Sequence, residues 1–175
     1  LVANAITQTR ILHIVAIAMM LPSITSMLVP LSKTKILAWR KFLVAHVKLL
    51  EYIERDLAQA ELPPLSWYDV LFTLSEAPEH KLRLHELAQA VLLSRSNITR
   101  LLDRLEVAGL IQREQCPSDR RGAFAVITDE GFEMLDQMWS VYGQAIDKYF
   151  ACHLDTSDVK FLVRVLNQIL STMDS

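Results

Sequence analysis

The chain has 175 residues, enough for one domain or one domain with an extension. Hydrophobic residues make up 51% of it, ample for a core with apolar surface left for a partner subunit, while only four glycines exclude a glycine-rich phosphate loop or dinucleotide fingerprint. The net charge of −2 is unevenly spread: residues 81–123 hold eight Lys and Arg against five Asp and Glu, residues 124–175 three against eight. One locally basic segment on an acidic body is compatible with phosphate contact at one face.

In chain order, residues 11–32 carry no Lys, Arg, Asp or Glu. That length would suit a membrane span or a signal-peptide core, but Pro22 and the scattered Ser and Thr argue against both. We read residues 1–31 as a leader the domain does not need, with Met20 or Met27 as internal starts. An extra helix packing in a dimer is the alternative, and a membrane partner is not expected.

An amphipathic helix is predicted from Ile36, with Ile36, Trp39, Leu43, Val47, Leu50, Ile53 and Leu57 recurring at three- and four-residue steps. It stops before Pro63-Pro64, since a residue preceding proline is pushed out of helical geometry. Ser66 reads as the cap of the next helix, with Asp69 completing a capping box, and that helix ends before Pro78.

The most informative stretch is Leu84 to Gly122. Leu84, Leu87, Ala88 and Val91 form the buried face of a short helix. Leu92-Leu93 turn the chain, and Ser94 is placed to cap a second helix, on which Ile98, Leu101, Leu102 and Leu105 share one face. Ser96, Arg100 and Asp103 fall opposite that face, with Thr99 and Arg104 on its flanks. Gly109 supplies a left-handed stop. Leu110–Gln115 and Ala123–Ile127 read as paired strands, with Pro117–Gly122 as the hairpin between them. Thr128 then caps a long helix whose first turn holds Asp129 and Glu130. A last helix follows Asp155 and carries Val159, Leu162, Val163, Leu166, Ile169 and Leu170.

A helix, a break, a second helix bearing Arg, Ser, Thr and Asn, and a basic hairpin are the plan of a DNA-reading winged helix. Arg95 and Ser96 lie in the first turn, where side chains and free backbone N–H groups can meet a phosphate. Arg100 can contact guanine with both arms of its fork, and Asn97 or Thr99 can reach base edges or phosphate. At the hairpin, Arg120 and Arg121 can enter a narrow minor groove, and Asp119 can hold the Arg121 guanidinium in place.

The run from Leu87 to Gly131 resembles the MarR family of winged-helix regulators. It reads LAQAVLLSRSNITRLLDRLEVAGLIQRE and then CPSDRRGAFAVITDEG. The marks are the Asp119-x-Arg121 wing, the Gly109-Leu110-Ile111 exit and the Thr128-Asp129-Glu130-Gly131 helix start. The flanking helices extend the resemblance from about Ser32 to the C terminus.

The resemblance implies a mainly α fold with a small β-hairpin wing. A winged helix-turn-helix DNA-binding lobe at 62–128 would join a helical dimerisation region at 33–61 and 129–173, all within a domain at 32–175. It implies a cytoplasmic homodimer on a pseudo-palindromic site in double-stranded DNA, most simply a repressor released by a small aromatic or phenolic ligand. Trp39, His46, Trp67 and Tyr68 are the candidates for lining a ligand cleft, although aromatic residues at helical spacing are more often core.

A winged helix used for protein–protein contact, or a thiol-based redox sensor, is the alternative. Cys116 and Cys152 are far apart, which argues against a disulfide framework and fits a reducing compartment. Cys116 lies on the basic wing near Arg113 and Arg120, which would lower its pKa, but both thiols read more simply as unreactive. His80, His85, Cys116, Cys152 and His153 show no zinc-ligand spacing. No serine elbow, HExxH motif or Cys–His pairing supports catalysis, so no catalytic residue, metal or cofactor is expected.

Overall fold

The computed structural model describes residues 31–91, 95–116 and 119–173, with the backbone alone described at 95–97, 116 and 119–122. Six α-helices are described: α1 (Lys33–Gln59), α2 (Leu65–Glu76), α3 (Leu84–Ala90), α4 (Arg95–Val107), α5 (Asp129–Tyr149) and α6 (Thr156–Ser171). The strands are β1 (Lys81–Arg83), β2 (Ile111–Cys116) and β3 (Asp119–Ile127), in an antiparallel sheet of order β1-β3-β2. By packing the chain divides after Leu43. Residues 31–43 are the described part of the first unit, the N-terminal portion of α1. Everything below concerns the second unit, from Val44, unless stated.

The apolar stripe of α1 is buried at Ile53 and Leu57, while Leu50 stays half exposed. Glu61 takes a left-handed φ of 58° after the helix and turns the chain toward Pro63-Pro64. The next helix starts two residues earlier than the cap pattern at Ser66 predicts, and Ser66 makes no cap. Pro64 occupies the cap position without a side-chain bond, and Glu54 of α1 accepts the Leu65 N–H at 3.1 Å. An acceptor from a neighbouring helix thus replaces the local one.

Strand β1 was not expected. Lys81, Leu82 and Arg83 pair with Val126, Ala125 and Phe124 of β3. The turn before it holds Glu79 and His80 both at φ 54°, and the His80 ring bonds through Nδ1 to the Ser75 carbonyl at 2.8 Å. Leu87 and Ala88 of α3 are buried as predicted, with Leu84 and Val91 packed at the margin of the core. The predicted turn at Leu92-Leu93 and cap at Ser94 lie outside the described residues.

Gly109 stops α4 at φ +75°. Its N–H donates to the Glu106 carbonyl at 2.9 Å and that of Leu110 to the Leu105 carbonyl at 3.0 Å, the paired bonds of a Schellman end. Leu110 therefore belongs to the helix stop, and β2 begins at Ile111. The hairpin is also tighter than predicted: Asp119 to Gly122 are strand residues of β3. The register jumps from Gln115↔Ala123 to Cys116↔Asp119, a bulge that absorbs the extra β3 residues.

Thr128 caps α5 as expected. Its hydroxyl accepts the Gly131 N–H at 3.1 Å and donates to the Gly109 carbonyl at 2.7 Å, tying the end of α4 to the start of α5. Asp155 caps α6, accepting from the Ser157 and Asp158 N–H groups. Where α1 meets the last turn of α5, the Tyr149 hydroxyl donates to Asp56 at 2.8 Å and accepts from Arg55 at 2.9 Å, with Lys148 3.4 Å from the same carboxylate. These bonds hold the Asp56 carboxyl below its ordinary range, the Tyr149 bond foremost.

Candidate nucleic-acid interface

Helix α4 separates its faces sharply. Ile98, Leu101, Leu102 and Leu105 are each at most 4% exposed, and burying each such side chain contributes about 1.5–3 kcal/mol. That burial fixes the rotation of the helix. Thr99, Arg100, Asp103 and Arg104 consequently stand on the solvent side. Arg95, Ser96 and Asn97 occupy the first turn of α4, and Asp119, Arg120 and Arg121 the first residues of β3. The side chains of these six lie outside the described atoms, as does the expected Asp119–Arg121 contact.

One residue of this region carries a role that spacing did not suggest. Across the sheet Arg113 pairs with Ala125, which pairs in turn with Leu82. Ala125 is fully buried, so this row faces the helices. The Arg113 side chain accordingly turns toward α4. Its Nη2 donates to Asp103 Oδ1 at 2.5 Å, and Nη1 lies 3.2 Å from Glu106 Oε2. On the opposite face, Lys81 and Arg83 stand over the Phe124 ring with their charges 5.8 and 5.6 Å from its centroid.

Within the second unit, the candidate cleft residues His46, Trp67 and Tyr68 do not line one common hollow. His46 lines a hollow of about 180 Å³ with Leu49, Leu50, Ile53, Ile146 and Phe150, and neither Trp67 nor Tyr68 borders it. Tyr68 instead centres an aromatic cluster: Phe72 stacks on it at 5.8 Å, Tyr142 meets it edge-on at 4.9 Å and Trp139 lies 6.2 Å away. Phe72 and Trp139 leave 46% and 52% of their surface to solvent, so this cluster has an open side. The Trp67 indole Nε1 is buried with no hydrogen-bond partner among the described residues. Burial raises the hydroxyl pKa values of Tyr68 and Tyr142 and the carboxyl of Asp69. Burial also raises Glu54, against the Leu65 N–H, with Asp69 adding to the rise. Trp39 belongs to the first unit, where it stacks on Phe42 at 6.0 Å. Cys152 is exposed, and its Sγ contacts the Lys148 carbonyl oxygen.

No helix of the described residues is long and apolar enough to cross a membrane, and no group of His, Cys, Asp and Glu among them could hold a metal ion.

A short helix, a helix with one buried and one polar face, and a two-stranded wing on a third strand define a winged helix-turn-helix protein. Residues 65–122 match the model of the MarR family. AbsC, a MarR family transcriptional regulator from Streptomyces coelicolor, is 32% identical with a TM-score of 0.75, the match covering 83% of this chain and 97% of that one. Sco3205, a MarR family regulator of the same organism solved in complex with DNA, is 30% identical with a TM-score of 0.79 over 86% of this chain and 94% of its own. The transcriptional repressor MprA of Escherichia coli is 30% identical over 59% of this chain and 58% of its own length. The chain belongs to the MarR family, whose members are transcriptional regulators and not enzymes.

Proposed function

We propose that this chain binds a pseudo-palindromic site in double-stranded DNA as a homodimer, placing α4 in the major groove and the β2–β3 wing beside it. The observation that carries this reading is the partition of α4: four buried apolar residues aim Thr99, Arg100 and Arg104 outward together. Arg95, Ser96 and Asn97 would meet phosphate and base edges from the first turn, and Arg120 and Arg121, steadied by Asp119, would reach the minor groove from the wing. The solved complex of Sco3205 with DNA supports the same reading.

Helix α6 supports the dimer. None of its residues is buried, and Val159, Phe161, Val163, Ile169 and Leu170 are all exposed. A monomer rarely leaves so much apolar surface on one helix. In this reading residues 62–128 are the DNA-binding lobe, 33–61 with 129–173 the dimerisation helices, and residues 1–31 dispensable.

The protein acts as a cytoplasmic repressor, like its relative MprA in its transcriptional sign. Its release by a small aromatic or phenolic ligand is supported by the open aromatic cluster at Tyr68, with Trp67 kept as a candidate lining residue. His46 and Trp39 are kept as candidate ligand-lining residues, His46 on the hollow it shares with Ile53 and Phe150.

Selection of genomic fragments by the purified protein tests the function. Enrichment of one palindromic consensus is expected, and enrichment of none would favour a protein–protein module instead.

A further inference from the structure

We infer that Arg113 is a positioning residue for DNA binding: it keeps the carboxylates of α4 out of the interface without touching DNA itself. The inference rests on the DNA-binding reading above.

Asp103 lies three residues after Arg100 and next to Arg104, on the same outward side of α4. Helix residues three apart are neighbours, so an unclaimed Asp103 would pair with Arg100 and compete with phosphate for it. Together with Glu106 it would also repel the phosphate backbone. Neither carboxylate is bound by a basic residue of its own helix among the described contacts. Both are bound by Arg113, through separate guanidinium nitrogens at 2.5 and 3.2 Å.

The geometry follows from the sheet. The register that pairs Arg113 with buried Ala125 obliges its side chain to point at α4 rather than outward. A planar fork with two diverging arms can hold two carboxylates at once, which a lysine ammonium does less well. The side chains of Arg113, Asp103 and Glu106 remain 30%, 54% and 39% exposed. Bridges this open add little to folding stability. Their consequence is electrostatic and local: Arg100 and Arg104 are left for DNA, and β2 is held against the second half of α4.

A double-mutant cycle on the full chain separates this role from the others. Affinity would be measured by fluorescence anisotropy on a labelled duplex of the sequence most enriched in the genomic selection. Four proteins are compared: wild type, Arg113→Gln, Asp103→Asn/Glu106→Gln, and the combination of all three substitutions. Arg113→Gln keeps two of the three stem methylenes, and circular dichroism would confirm that each variant folds. Arg113→Gln alone is expected to bind about tenfold more weakly, within the range of such couplings. In the background lacking both carboxylates the same substitution is expected to cost nothing further. An equal loss in both backgrounds would show direct phosphate contact and overturn the inference, as would unchanged affinity of the single variant. Wild-type protein that binds no duplex would overturn the DNA-binding reading, and this one with it.

Discussion

At Gly131 the start of α5 passes so close to the strand exit that an added Cβ would press on the Leu110 carbonyl oxygen and lie 2.6 Å from Ile127 Cγ1. Backbone cannot yield there as a flexible side chain would. Gly131→Ala is therefore expected to destabilise the protein by about 1–3 kcal/mol, read as a lower urea midpoint. Glu54 makes a prediction of another kind. A carboxyl group whose pKa is higher folded than unfolded binds protons more tightly in the native state, so stability falls as pH climbs from its ordinary value through the raised one. Glu54→Gln keeps an oxygen for the Leu65 N–H and removes the buried charge. The variant's urea midpoint should decline less than the wild type's between about pH 4 and pH 7.

The same residues show what could be read locally. Gly109 and Thr128 were legible because each acts on its own few neighbours, as a left-handed stop and as a cap. Ser66 misled because the acceptor for that helix comes from Glu54, eleven positions upstream on another element.

Among the elements, α3, α4 and α6 followed from apolar periodicity, and α5 from its Thr128 cap and acidic first turn. Strand β1 did not, since a three-residue Lys-Leu-Arg segment shows no alternation and exists by pairing with β3 far along the chain. The wing was placed correctly but drawn too loosely, because a bulge leaves no mark in the sequence. Arg113 was noticed as a basic neighbour of Cys116, while its contacts with α4 depend on the sheet register.

The junction of α1 with α5 gives a prediction at this scale. Tyr149→Phe would keep the ring contact with Tyr52, at 5.1 Å, and lose the hydroxyl that joins Asp56 to Arg55. Asp56 is held below its ordinary range, so its stabilisation is present above that range and is lost as pH falls through the lowered value. The variant should be less stable at pH 7 by about 1 kcal/mol, with the gap narrowing in acid. Urea titrations at pH 7 and about pH 3 would check it.

For the whole molecule, the helical stripes read from apolar spacing are only partly buried among the described residues. Of the predicted α1 stripe, Ile53 and Leu57 are buried, and α6 buries no residue. Apolar periodicity reports that a face is meant to be covered, not by which chain. Phe161, 60% exposed on α6, is accordingly expected to matter for assembly. Phe161→Asp should shift the protein toward monomer in sedimentation equilibrium while its helical circular dichroism persists.

The central claim is that α4 and the wing together grip DNA, and a salt-dependent binding titration tests it most directly. On the duplex recovered by genomic selection, Arg121→Ala should weaken binding by about 1–3 kcal/mol and lower the salt slope by about one. Identical affinity and slope for the variant and the wild type would contradict the account.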